Sequence, residues 1–194
     1  MREVEVKAKT NDLKAAESKL VAMGALIAQP VIQADRVYLQ NGTAFEEVTV
    51  NTPVLRIREQ NPGETLLTYK HIRGEELDKQ EHEVVVSNAS EMEQILKLSG
   101  FYEAVAFTKT RRKCKLGDYE ICLDNVEGLG GFIEIEKLIP DSHEGPGSNG
   151  QDVQRELFDF LRQLGVREQD KVLSGYDVLI YNMGNSKLKG QNSK

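Results

Sequence analysis

Five segments of this chain place strong charges two residues apart. They hold Glu3, Glu5 and Lys7; Arg56 and Arg58; Glu81 and Glu83; Lys109 and Arg111; and Glu134 and Glu136. Alternate residues of a β-strand share a face, so each set would present its charges on one side of a sheet. Like charges held roughly 5 Å apart repel by about 3 kcal/mol at an effective dielectric near 20. Such faces are tolerable when opposite charges interleave or when a ligand compensates them. Lys and Arg donate to phosphate oxygens, Arg through a planar fork. Carboxylates hold a hard divalent cation, which bridges to the same phosphates. A polyphosphate–metal complex therefore satisfies both signs at once. His71, His82 and His143 lack a companion nucleophile or acid, so a Ser-His-Asp or Cys-His mechanism has no support.

The segments that carry these charges read as strands. Residues 1–9 alternate, with Val4, Val6 and Ala8 against Glu3, Glu5 and Lys7. Thr10-Asn11-Asp12 starts a helix, Leu13, Ala16, Leu20 and Met23 give its apolar stripe, and Gly24 stops it. Strands follow near 35–40, 53–59, 64–72 and 79–87, with a turn at Asn61-Pro62-Gly63. Ser90 and Glu93 form a capping-box pattern for a second helix, which ends near Gly100. Strands over 104–116, 119–126 and 132–139 come next. A Gly/Pro/Ser-rich loop over 140–150 precedes a helix marked by Val153, Leu157, Phe160, Leu161 and Leu164. The first 182 residues read as one domain, and 183–194 as a polar, disordered tail. A Glu-x-Glu strand followed by a helix and a glycine occurs twice, which predicts two similar halves in one antiparallel sheet with helices outside.

One hairpin can be registered from sequence. A two-residue turn at Gly117-Asp118 sets Leu116 opposite Tyr119 and Arg111 opposite Asp124. Lys109, Arg111, Lys113, Glu120, Cys122 and Asp124 share one face; Arg112 and Cys114 lie on the other. Cys114 and Cys122 thus point apart and read as two reduced structural thiols.

Composition bounds the rest. The 194 residues are 39% hydrophobic and 29% charged, with net charge −6. No basic balance announces a nucleic-acid surface. No apolar run approaches the roughly 20 residues of a membrane span, and no signal-peptide core opens the chain. A soluble, cytoplasmic protein is the expectation. A homodimer is compatible with the sequence, though nothing in it compels one.

Glu3-Val4-Glu5-Val6-Lys7 resembles the ExExK signature of the CYTH superfamily, the triphosphate tunnel metalloenzymes. Residues 55–59, 69–70, 81–83, 109–113, 123–130 and 134–136 stand in the family's order, so the resemblance spans nearly the whole chain. It implies an α+β fold, an eight-stranded antiparallel β-tunnel with helices packed outside. It also implies roles. Arg56, Arg58, Lys70, Lys109 and Arg111 would hold a triphosphate, with help from Lys7. Glu3, Glu5, Asp124, Glu134 and Glu136 would carry Mg²⁺ or Mn²⁺, with Lys7, Glu5 and Glu136 nearest the chemistry. Glu81 and Glu83 would join the metal shell or orient the basic groups. Tyr38 matches an aromatic family position, with strand packing as the competing reading.

The family divides by reaction. In a cyclase the ribose 3′-hydroxyl of ATP attacks the α-phosphate, giving cyclic AMP and pyrophosphate. In a triphosphatase water attacks the terminal phosphate of inorganic triphosphate, thiamine triphosphate or a nucleoside triphosphate. Residues 55–58, 122–136 and 174–176 resemble the class IV adenylyl cyclase group, so the cyclase is the first expectation and the triphosphatase the alternative. A non-catalytic polyphosphate or nucleotide sensor is a third. No adenine-recognition signature is visible.

Overall fold

The computed structural model describes residues 2–49, 52–72, 79–139 and 150–191. Among the described residues, nine strands and four α-helices form an α+β fold. In chain order they are β1 (Arg2–Thr10), α1 (Leu13–Ala22), β2 (Val31–Gln40), β3 (Val54–Asn61), β4 (Thr65–Ile72) and β5 (Lys79–Val86). Then come α2 (Ala89–Leu98), β6 (Phe101–Leu116), β7 (Tyr119–Val126), β8 (Gly130–Ile139), α3 (Gly150–Gln163), β9 (Lys171–Val172) and α4 (Tyr176–Gln191). The hydrogen-bonded order is β5-β4-β3-β2-β6-β7-β8-β1-β9. Every strand pair with a described register is antiparallel. The sequence reading expects eight strands. The ninth is the two-residue β9 beside β1, too short to show an alternating pattern.

Two compact units interleave along the chain. The first comprises Met1–Pro30, Thr110–Val126 and Gly130–Leu173. Here β1, β7 and β8 turn Val4, Val6, Ala8, Ile121, Leu123, Ile133 and Ile135 to one side, together with Cys114 of β6. Helix α1 adds Ala16 and Leu20, and α3 adds Leu157, Phe158 and Leu161. Arg112 lies on this covered side as expected, donating to Glu17 of α1 and to the carbonyl of Ala28.

The second unit comprises Val31–Lys109, Glu127–Leu129 and Ser174–Lys194. Helix α2 covers one side of its strands, packing Leu96 and Met92 on Tyr38, Ile57, Leu55 and Leu67. Tyr38 is fully buried there, so its packing reading holds. On the other side Val37, Leu39, Val54 and Val105 receive Ile180 and Tyr181 of α4.

Each unit has its own strand–helix–glycine sequence, β1-α1-Gly24 and β5-α2-Gly100. Both glycines take positive φ, 95° and 87°, which lets the chain leave the helix without a Cβ clash. Asp12 caps α1 by accepting from the amide of Ala15 at 2.8 Å. The cap of α2 is Asn88, which accepts from the amide of Glu91 at 3.1 Å, two residues before the expected Ser90. Glu93, the expected box partner, turns instead to Lys97 and Arg36. The chain expected as a tail from 183 is helical through Gln191. Most of the loop expected over 140–150, with His143, lies outside the described residues.

Leu161 of α3 is wholly enclosed in the first unit's core. Leu161→Ala should cost about 2–5 kcal/mol, through lost transfer energy and the cavity left behind. Urea unfolding followed by circular dichroism would measure it.

Candidate active site

The charged residues lie on the strand sides opposite the cores described for β1, β7 and β8, and opposite α2 in the second unit. Each unit organises its own set, and strand register decides who meets whom.

In the second unit β2, β3, β4 and β5 form consecutive ladders. Asp35 stands opposite Arg58, Arg56 opposite Thr68, Thr68 opposite Glu83, and Lys70 opposite Glu81. The side chains complete these pairings. Arg58 donates from Nε and Nη2 to the two oxygens of Asp35, at 2.6 and 2.7 Å. Arg56 donates from Nη2 to the hydroxyl of Thr68 at 3.1 Å, and that hydroxyl donates to Glu83 at 2.9 Å. Glu81 and Glu83 approach the same Arg56 nitrogen at 3.6 and 3.7 Å, and Lys70 bonds Glu81 at 3.0 Å. Lys109 lies over the ring of Tyr176, 4.8 Å from its centroid. Asp35, Arg56, Thr68 and Lys109 are buried. Burial would raise the Asp35 carboxyl, but hydrogen bonds and charge from Arg58 hold it below its ordinary value. Burial, with Arg58 beside it, pulls Arg56 below its usual value. The Nε of Arg56 is enclosed without a protein hydrogen-bond partner. A buried guanidinium with an unused donor suits a further anionic acceptor.

In the first unit Lys7 stands opposite Glu134 and Glu5 opposite Glu136 across β1 and β8; Cys122 of β7 is also opposite Glu134. The Lys7 ammonium bonds Glu5 at 2.9 Å and Glu134 at 3.1 Å. Burial acts against its charge, but these two carboxylates outweigh burial and raise its pKa, so it stays protonated. Arg111 donates to both oxygens of Asp124, at 2.7 and 2.5 Å, and to Glu134 at 2.9 Å. The Arg111–Asp124 pair is the one that the hairpin register predicts.

The acidic residues therefore divide. Asp124 is fully buried beneath the Arg111 fork, and Glu134 lies between Arg111 and Lys7. Both are committed to cations of the protein. Glu5 also bonds Lys7, but it converges with Glu3 and Glu136: one oxygen from each lies within 4.8 Å of the others, and they are half-buried or exposed. Burial and the charges of Glu134 and Glu3 push the Glu136 carboxyl up to about 8. Donors placed around one hard cation span roughly 4–5 Å from side to side, so this trio fits Mg²⁺ or Mn²⁺. Cys122 also adjoins Glu134 and Glu136, and burial pushes its thiol up to about 12.

Asp35 and Thr68 are the site residues that sequence reasoning misses. Their signal is the register between β2, β3 and β4, which spacing within one strand does not contain. Lys113 pairs with Glu120 and lies half-exposed.

Residues 1–176 match the family model of the CYTH domain. The chain is 31% identical over 178 residues to a provisionally named adenylate cyclase of Methanocaldococcus jannaschii, covering 91% of this chain and 97% of that one. An adenylate cyclase of Aeromonas hydrophila is 24% identical over 177 residues, covering 91% and 87%. Among solved structures, a Pyrococcus horikoshii protein superimposes with a TM-score of 0.74 at 29% identity, covering 93% and 99%. A provisionally named adenylyl cyclase from Hippeastrum, described as revealing a dominant triphosphatase activity, has a TM-score of 0.61 at 18% identity, covering 95% and 96%.

The Glu136 carboxyl predicts a pH-dependent stability. Its folded pKa lies above its ordinary value of 4.5, so the folded chain keeps a proton that the unfolded chain gives up. Its contribution is full below that value and is lost as pH rises through about 8. Without divalent metal, Glu136→Gln should therefore melt above the unsubstituted protein at about pH 8.5, with a smaller gap near about pH 5. Equal gaps in melting scans at both pH values would remove the carboxylate-repulsion account.

Proposed function

The chain belongs to the CYTH domain family, and from that we propose that it is a metal-dependent enzyme acting on a triphosphate, first of all an adenylyl cyclase converting ATP to cyclic AMP and pyrophosphate. The carrying observation is the separation of charge described above. The second unit gathers Arg56, Arg58, Lys70 and Lys109 in one row, with Arg56 and Lys109 buried. The first gathers Glu3, Glu5 and Glu136 where a divalent cation fits. A simple anion receptor would have no use for the second set. The adenylate cyclase names of two relatives favour the cyclase over other triphosphate chemistry.

The protein groups would act chiefly by position and charge. In the row, Arg56, Arg58, Lys70 and Lys109 donate to phosphate oxygens, while Glu81, Glu83 and Thr68 hold them in place. Arg111 and Lys7 hold Asp124 and Glu134 in ion pairs beside the carboxylate trio. Lys7, protonated between two carboxylates, serves as an electrostatic donor and not as a base. Glu3, Glu5 and Glu136 would hold Mg²⁺ or Mn²⁺, which supplies charge neutralisation for the attacking and leaving oxygens.

A triphosphatase is the second reading. The described residues offer candidate phosphate donors and metal ligands, and none of them marks a subsite for adenine. The same sets would serve attack by water on inorganic triphosphate or thiamine triphosphate.

Incubation with ATP, inorganic triphosphate and thiamine triphosphate, each with Mg²⁺, Mn²⁺ or chelator, separates the readings. Cyclic AMP with pyrophosphate establishes the cyclase. Orthophosphate without cyclic AMP establishes the triphosphatase, and absence of turnover with all three sinks both. Glu3→Gln/Glu5→Gln should abolish metal-dependent turnover with the circular dichroism spectrum retained. Lys70→Ala should weaken triphosphate binding by about ten- to hundredfold, the scale of a charged hydrogen bond, with little change in melting temperature. A loss of stability at unchanged affinity would make Lys70 a strut.

A further inference from the structure

A carboxylate inside a phosphate-binding row is a liability, because it opposes the ligand's charge. Asp35 is such a group. It lies in the middle of β2, opposite Arg58, and is 1% exposed. Arg56 and Lys109 act on it electrostatically as well as Arg58, so it sits within the field of three of the row's cations. Removing it would make the row more attractive to any anion.

What Asp35 supplies in return is geometry. It takes the Nε–Nη2 edge of Arg58 with both oxygens, at 2.6 and 2.7 Å. Two parallel bonds to a planar group fix its plane as well as its position. They leave the third nitrogen of the guanidinium, Nη1, outside the fork. Arg56 is fixed differently, by one bond to Thr68 and by longer contacts to Glu81 and Glu83. The two arginines, alternate residues on β3, also repel. The carboxylate between β2 and β3 lets them share one strand face without splaying.

We infer that Asp35 is a positioning residue for the triphosphate reaction: it locks the guanidinium plane of Arg58, giving up anion affinity for alignment. The inference rests on the proposed assignment of this row to the triphosphate. It predicts opposite signs for binding and turnover. Tighter binding shared by ground state and transition state does not raise kcat, whereas misalignment lowers it.

The test uses the full chain. Calorimetry with inorganic triphosphate in the presence of chelator reads affinity. Steady-state kinetics with whichever of ATP and inorganic triphosphate the unsubstituted protein turns over faster reads kcat. Asp35→Asn, which keeps the shape and removes the charge, should bind inorganic triphosphate about threefold or more tighter and lose about tenfold in kcat. Arg58→Lys keeps the charge but not the fork. It should lower kcat with affinity held within about twofold, and in its background Asp35→Asn should cause little further loss of kcat. Weaker binding in Asp35→Asn, together with a lowered melting temperature, would make Asp35 merely structural and overturn the inference. So would an unchanged kcat, or an equal loss with and without the arginine. Should Asp35→Asn fail to fold, Arg58→Lys decides alone: a retained kcat overturns the inference. Failure of the unsubstituted protein to bind inorganic triphosphate at all would bring down the proposed function, and this inference with it. Binding without Asp35–Arg58 coupling brings down only the inference.

Discussion

Removing a charge from water costs several kcal/mol unless an opposite charge with good geometry receives it. Both functional rows of this protein meet that constraint through strand register. Antiparallel partners stand directly opposite, with their Cβ atoms about 5 Å apart, which is the reach of an ion pair. Lys7 therefore meets Glu134, Lys70 meets Glu81 and Arg58 meets Asp35, each across one ladder. A one-residue slip would turn these groups to the other strand face and, in the first unit, would turn the core Val and Ile of β1, β7 and β8 out of the core. The hydrophobic cores and the ionic rows thus enforce the same register from opposite sides.

That double enforcement explains what could be read from the chain and what could not. Alternation within a strand is local, so β1, β8 and the Arg56–Arg58 face are visible in the letters. The tight β6–β7 turn is local too, and it places Arg111 with Asp124, as the ion pair bears out. Asp35 and Thr68 become site residues only when β2, β3 and β4 are laid side by side, a relation carried by contacts distant in sequence. A lone Asp and a lone Thr in half-apolar strands give no signal before that. The cap of α2 was misplaced for a related reason. Ser90 and Glu93 have the spacing of a capping box, but Glu93 is drawn to Lys97 and Arg36, and Asn88 takes the amide. Helix α4 escaped notice because its apolar residues do not form a repeating stripe; Ile180 and Tyr181 anchor it.

Within the acidic set, the same accounting separates two kinds of carboxylate that look identical in sequence. Asp124 and Glu134 are buried with cations of the protein against them. Glu3, Glu5 and Glu136 lie close to one another, and burial with the charges of Glu134 and Glu3 raises the Glu136 carboxyl. Like charges held close together are a local loss of stability. The apolar core on the opposite faces of β1, β7 and β8, with α1 and α3 packed on it, offsets that loss.

The two charged sets also differ in how they depend on ligand. In the row of the second unit the protein's own carboxylates brace the cations, so its geometry exists before any anion arrives. Preorganised donors need little rearrangement during a reaction, which is where electrostatic catalysis gains most. The carboxylate trio has the opposite character: a divalent cation would relieve its repulsion, so the loaded state is the less strained one. On the proposed assignment the phosphate donors are prearranged by the fold, while metal loading would be coupled to stability and to pH. On the proposed assignment, divalent metal should raise the melting temperature of this chain at neutral and alkaline pH even when no triphosphate is present.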